Sequence, residues 1–107
     1  MNKEFKLSIL EMTILLLTAQ GEIYGYDIAQ NIYNLLSLEE GITYPVVKKL
    51  TNEGLLQVNN EIIENLGTRK FYHITKDGII KLKKDTSIYL DISDKIYQLM
   101  KGLELNE

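Results

Sequence analysis

The chain has 107 residues, of which 45% are hydrophobic and 25% charged, a composition typical of one globular domain. It has no cysteine, which excludes disulfides and thiolate zinc sites. The formal net charge of −3 is unevenly distributed: residues 1–40 carry −4, residues 41–76 carry +2 and residues 77–107 carry −1. The middle segment is therefore the part suited to an anionic partner such as nucleic acid.

The first predicted element is a helix from Ser8 to Ala19 that is apolar on nearly every side. Its start has some features of a signal peptide, but Glu11 interrupts the apolar run and no small-residue cleavage site follows. The run is also shorter than the about 20 residues of a membrane span. We therefore expect a buried helix in a soluble, cytoplasmic protein without a membrane partner.

After a turn at residues 22–26, an amphipathic second helix is predicted to end near residues 35–38. Residues 39–41 are expected to form another turn. Pro45 then suits the first turn of a third helix, which Gly54 ends. Alternating residues at 56–58 and 70–74 predict a β-hairpin with a loose tip between about Asn59 and Thr68.

Thr75 is the predicted N-cap of a last, long helix. Its apolar residues recur at coiled-coil spacing, although Asp85 breaks the stripe once. This stripe is longer than the core of a small domain requires, so the helix is expected to pair with its copy in a homodimer. The predicted dimer residues are Leu82, Tyr89, Ile92, Ile96, Leu99 and Leu103.

These elements predict a mainly α protein with a small β-hairpin, the winged form of the helix-turn-helix. We expect one compact unit, with a winged-helix DNA-binding domain at residues 1–76 and a dimerisation helix at residues 77–107. The third helix can enter a major groove while the hairpin lies along neighbouring phosphates. The predicted DNA-binding residues are Thr43, Tyr44, Lys48, Lys49, Asn52, Arg69 and Lys70.

Three segments in this order and spacing carry a family resemblance: residues 21–28 (GEIYGYDI), residues 41–50 (GITYPVVKKL) and residues 69–78 (RKFYHITKDG). The sequence resembles the PadR family of bacterial transcriptional regulators. The resemblance implies a compact dimeric repressor, often of detoxification or efflux genes, that binds double-stranded palindromic DNA. It also implies release by a small aromatic or drug-like effector and a phosphate contact for Tyr44.

Two features depart from the family pattern. The family commonly has Gly-Thr-Leu-Tyr-Pro where this chain has Gly41-Ile42-Thr43-Tyr44-Pro45, an exchange that can alter base preference or the angle at which the helix meets DNA. The wing carries Glu61 and Glu64 in place of further arginines, which should weaken phosphate contacts and raise their sensitivity to salt.

Several residues have a purely structural alternative. Tyr44 can pack against the second helix, Arg69 and Lys70 can pair across strands with wing glutamates, and Tyr89 can serve packing instead of effector binding. Tyr24, Gly25 and Tyr26 are interpreted as structural. His73 is the single histidine, so no metal site is expected, and no cofactor is predicted.

Two other functional classes are alternatives to DNA binding. The first is a winged-helix module that binds protein and not DNA, which the acidic wing and the low net basicity allow. The second is an enzyme, and the sequence argues against it because it has no phosphate-cradling glycine loop, no nucleophile with a histidine partner at a suitable spacing and no paired carboxylates.

Overall fold

The structure, a computed structural model, describes residues 3–103, with side chains from residue 5 onward. Two stretches lie outside the described residues: residues 1–2 of the predicted domain 1–76 and residues 104–107 of the predicted dimerisation helix 77–107. The elements are α1 (Lys3–Ala19), β1 (Ile23–Tyr24), α2 (Gly25–Leu36), α3 (Glu40–Asn52), β2 (Leu56–Ile63), β3 (Gly67–Ile74) and α4 (Lys76–Leu103). This mainly helical architecture with one small antiparallel sheet confirms the predicted winged helix-turn-helix.

The hydrophobic core lies between α1, α2 and α3, with β2 and α4 contributing at its margin. Leu10, Ile14 and Leu15 of α1 are fully buried, and each such side chain contributes about 1.5–3 kcal/mol on burial. Leu82 of α4 is only 8% exposed and belongs to this same core. Its assignment to the dimer stripe therefore needs correction, because its side chain is already covered within its own subunit.

The third helix begins earlier than predicted, at Glu40, so that residues 40 and 41 are helical and not part of a turn. Pro45 consequently lies inside the helix and not in its first turn. Proline has no N–H for the carbonyl four residues earlier, here that of Gly41. The first turn of the helix does not depend on that bond, because it is closed by the backbone N–H groups of Ile42 and Thr43, which both donate to the Glu39 carbonyl.

The wing is more regular than predicted. Strands β2 and β3 pair antiparallel from Leu56↔Ile74 to Ile63↔Gly67, so that the tip is a tight loop of residues 64–66 and not a loose segment. Asn65 and Gly67 take the left-handed backbone conformation there, which these two residue types tolerate. The predicted turn at residues 22–26 also contains a short strand, β1, which pairs with β3 and gives the sheet order β1-β3-β2.

Helix α4 begins as predicted, with Thr75 as its N-cap. The Thr75 Oγ1 accepts a hydrogen bond from the Gly78 N–H (3.0 Å) and donates one to the Gly54 carbonyl (2.6 Å). The helix then projects from the core, and every residue from 87 to 99 is exposed. The radius of gyration is consequently 16.2 Å, against about 13 Å for a compact chain of this length. None of the helices within residues 3–103 is both long enough and apolar enough to cross a bilayer.

Candidate nucleic-acid interface

An open groove of about 720 Å³ separates the exposed face of α3 from the wing. Helix α3 presents Tyr44, Lys48 and Asn52 to it, residues spaced four apart and therefore on one face of the helix. The wing contributes Arg69 and Lys70. The structure thus brings together five of the seven residues that the sequence predicted to bind DNA.

The charge of this groove has one sign. Lys48, Arg69 and Lys70 line it, and no acidic residue does. Among the side chains that the structure describes, none of these three cations forms an ion pair. Glu61 stands opposite Arg69 in the strand register, yet the two form no salt bridge, and the hydrogen bond of Arg69 goes to the Thr68 carbonyl (3.2 Å). The groove therefore holds three cationic groups available to an anion.

Tyrosines surround the same groove, among them Tyr24 and Tyr26, for which the sequence predicts a structural role only. Their ring centroids lie 6.0 Å apart, and both line the groove with Tyr44 and Tyr72. Burial, then the Glu40 carboxylate and then the neighbouring tyrosines raise the pKa of Tyr44 above its ordinary value of 10.0. Its hydroxyl therefore stays protonated at neutral pH and remains a hydrogen-bond donor.

Gly25 explains how α2 reaches the sheet at this point. A Cβ on residue 25 would lie 3.1 Å from Tyr72 Cε1 and 3.7 Å from the Lys70 carbonyl oxygen. Only a residue without a side chain permits this approach without displacing the tyrosine ring. The Tyr-Gly-Tyr sequence thus places two rings in the groove while its glycine allows the contact between α2 and β3. The alternation of aromatic and small residues was the signal that could have indicated this role.

A second groove, of about 760 Å³, lies between α1 and α4. It is mostly apolar and includes Tyr89, Ile92 and Ile96 of the predicted dimer stripe. Leu99 and Leu103 continue the stripe beyond the groove and are 73% and 71% exposed. Phe5, Met12, Tyr97 and Met100 complete much of its apolar lining. Glu11, Lys81 and Asp85 lie at its polar margin.

Comparison with known proteins identifies the family of the chain. Residues 14–84 match the model of the transcriptional regulator PadR-like family, which covers more than half of the chain. The chain belongs to the PadR-like family. It is thus a member of a family of transcriptional regulators, not of enzymes, as predicted from the sequence.

Individual relatives of this PadR-like chain span most of its length. A PadR-like transcriptional regulator from Bacillus cereus is 27% identical, with a TM-score of 0.82 over 94% of this chain and 99% of that one. Bacillus subtilis PadR, crystallised with operator DNA, is 31% identical, with a TM-score of 0.65 over 71% of this chain and 45% of that longer one. An uncharacterized protein from Lysinibacillus sphaericus is 28% identical over 99 residues, covering 89% of this chain and 91% of the relative.

Two of the predicted DNA-binding residues lie outside the groove. Thr43 faces the core and is 0% exposed, which corrects its assignment, because the helical turn that presents Tyr44 turns Thr43 inward. Within the described residues its Oγ1 has no hydrogen-bond partner. Lys49 lies on another face of α3, where its Nζ is 3.1 Å from Glu11 Oε1 and 3.7 Å from Glu53 Oε2.

His73 lies on the sheet, with its Nδ1 3.9 Å from Glu22 Oε2. Asn59 donates a hydrogen bond to the same glutamate oxygen (2.9 Å), so the three side chains form a small polar cluster beside β1. No group of three or more metal-ligating side chains occurs within the part of the chain that the structure describes. The Asn59 hydrogen bond to Glu22 joins β2 to the residue that precedes β1.

Proposed function

We propose that the chain is a sequence-specific DNA-binding repressor that acts on double-stranded DNA in the cytoplasm. The observation that carries the proposal is the groove between α3 and the wing. Among the described side chains no acidic residue lines it, and its three cations, Lys48, Arg69 and Lys70, form no ion pair. The phosphates of DNA supply negative charges with which these cations can pair. The Tyr44 hydroxyl adds a neutral donor to the same surface, which can form a hydrogen bond to a phosphate oxygen.

In this proposal α3 enters the major groove and the wing follows the adjacent phosphates. Asn52 is the groove residue best suited to base readout, because an amide side chain can donate to and accept from one adenine edge. The operator complex of Bacillus subtilis PadR supports the proposal, since a protein 31% identical over 71% of this chain binds DNA. In this proposal the bound dimer represses by occupying promoter DNA that RNA polymerase needs.

The proposal is tested by selecting a duplex from a random-sequence library with the purified protein and titrating it by fluorescence anisotropy. We expect tight binding at low salt that falls steeply as salt increases, and an operator with two inverted half-sites about one helical turn apart. Failure to enrich any duplex, together with no salt-dependent binding at low ionic strength, would contradict a DNA-binding function.

The homodimer is proposed from the exposed half of α4. The chain exposes 7518 Å², whereas a compact monomer of its mass exposes about 6100 Å². The apolar side chains of Tyr89, Ile92 and Ile96 are each about half exposed. A second copy of the helix supplies matching apolar residues at the same heptad spacing, so pairing covers both stripes at once.

We expect Ile92→Asp/Ile96→Asp to convert the dimer into a monomer, because two carboxylates cannot be buried in an apolar seam without partners. Sedimentation equilibrium measures the change directly. Leu90→Asp is the matched control: Leu90 is similarly exposed on the same helix but lies outside the α1–α4 groove. Dimerisation that survives the double substitution would place the interface elsewhere.

An aromatic effector is proposed to bind in the α1–α4 groove, where Tyr89 offers a ring to stack against. The chain has no tryptophan, so its intrinsic fluorescence comes from tyrosine. We expect proflavine or cinnamate, as cationic and anionic planar probes, to quench this emission and Tyr89→Ala to weaken the effect about tenfold. Tyr33→Ala, an exposed tyrosine of α2, is the control. Equal affinity in both variants would exclude Tyr89 from the site.

A second candidate function is protein binding through the wing. Ile62 and Leu66 at the wing tip are 88% and 58% exposed, beside the acidic Glu61 and Glu64. An apolar and acidic tip suits a protein surface better than it suits DNA. This alternative predicts no loss of partner binding on changing Lys48 or Arg69 and a loss on changing the two glutamates.

A further inference from the structure

The ion pairs of Lys49 suggest a role that differs from that of its neighbour Lys48. Lys48 faces the acid-free groove, whereas Lys49 contacts Glu11 of α1 (3.1 Å) and Glu53 at the end of its own helix (3.7 Å). The Glu11–Lys49 contact joins residues 38 positions apart in sequence. It is therefore a tertiary contact between the recognition helix α3 and α1, and not a local pair on one helix.

The contact belongs to a wider charged cluster. Lys81 of α4 forms a 2.7 Å ion pair with Asp85. The hydrogen bond to Asp85 raises the pKa of Lys81, whereas burial lowers it by a smaller amount. The negative charges of Asp85, Glu11 and Glu53 raise this pKa further. Glu11 and Glu53 thus lie near enough to influence both lysines. Charges of alternating sign thus lie along α3, α1 and α4, and none of them lines the groove between α3 and the wing.

Glu11 also lines the α1–α4 groove together with Lys81 and Asp85. The partner of Lys49 is therefore shared between the recognition helix and the groove that borders the exposed half of α4. We propose that Lys49 is a positioning residue, which fixes α3 relative to α1 and α4 through Glu11 and does not contact DNA. The expected effect of Lys49 on DNA affinity rests on the proposed DNA-binding function, but the Glu11–Lys49 contact itself can be tested without DNA.

Two single substitutions separate positioning from phosphate contact. Lys49→Met is expected to weaken binding of the selected duplex by about two- to fivefold, the range of an exposed ion pair, without changing the dependence of log K on log[salt]. A phosphate contact would instead reduce that slope by about one. Glu11→Gln removes a negative charge, which on charge alone strengthens DNA binding. We expect it instead to weaken binding by a similar factor, because Lys49 loses its partner on α1 and keeps only Glu53 at the end of its own helix.

The double variant Glu11→Gln/Lys49→Met is expected to bind no more weakly than either single variant, since both remove one interaction. Lys49→Arg should retain binding because it keeps the charge and the reach to Glu11. The matched control is Lys95→Met, which breaks a 2.9 Å ion pair to Asp91 on α4, away from α3, and should leave DNA affinity unchanged.

Amide hydrogen exchange without DNA provides an independent readout. In Glu11→Gln and in Lys49→Met we expect faster exchange in residues 49–52 of α3 and unchanged exchange in α2. If the wild-type protein binds no DNA but this pattern appears, the proposed function fails and the positioning contact stands. A salt slope reduced by one in Lys49→Met, independent of the residue at position 11, or unchanged exchange in both variants, would overturn the inference.

Discussion

Lys48→Ala/Arg69→Ala is expected to reduce affinity for the selected duplex about a hundredfold at moderate salt. Both cations line the groove between α3 and the wing and have no ion-pair partner among the described side chains. Their removal should therefore abolish contacts to DNA and no ion pair within the described part of the protein. A charged hydrogen bond contributes about 1.5 kcal/mol or more, and two such losses correspond to about two orders of magnitude. The salt slope should fall by about two for each subunit bound.

Lys83→Ala/Lys84→Ala is the matched control for this prediction. It removes the same net charge from exposed lysines of α4 that do not line the groove. Because long-range effects of net charge are the same in both variants, a difference between them measures contact at the groove. Equal affinities for the two variants would contradict the proposed interface. Both proteins should keep the melting temperature of the parent, since neither substitution breaks an ion pair between helices.

Gly78→Ala is expected to lower the free energy of unfolding by about 3 kcal/mol or more, an unusually large effect for one methyl group. A Cβ at residue 78 would overlap the carbonyl oxygen of Leu55 and would lie 2.6 Å from Ile74 Cγ1. If the Leu55 carbonyl moved away from this Cβ, it would lose the hydrogen bond that it accepts from the Thr75 N–H (3.0 Å). The clash thus falls where the wing, the N-cap of α4 and the end of α3 meet.

Urea unfolding followed by circular dichroism at equal protein concentrations measures this loss, which should also lower the melting temperature by about 12 °C or more. Gly102→Ala on the same helix is the control, since a Cβ there has no heavy atom within 4 Å. Alanine at that site is expected to be neutral or slightly stabilising. A Gly78→Ala protein within about 1 kcal/mol of the parent would mean that the wing and α4 can separate at this junction without penalty.

The periodicity of the sequence determined the helices well because helical spacing depends on local pattern. Thr75 as the N-cap of α4 is an example, since capping needs only a side-chain oxygen and an N–H a few residues away. Pro45 shows the limit of local reasoning. Proline is favoured in the first turn of a helix, so the sequence favoured a later start, but the helix begins at Glu40 and buries Thr43 and Val47 on either side of Pro45.

Strand β1 was missed for a related physical reason. Two residues are too few to show the alternation of a strand. Ile23 and Tyr24 form one only because they pair with the edge of β3. The wing tip was predicted too loose because its polar residues 59–61 resemble a loop in sequence, whereas pairing with β3 holds them extended. Hydrogen bonds between distant segments decide such regions, and a single sequence does not contain them.

The sequence by itself determined the order of the elements, the basic middle segment and the motifs that resemble the PadR family, because each of these depends on residues near one another in the chain. Only the tertiary structure decided which cations act together. Lys48 and Lys49 are adjacent in sequence, yet the helical turn of about 100° between them directs one to the groove and the other to Glu11. For the same reason Thr43 and Leu82 were misassigned: the side that a residue faces depends on what packs against it.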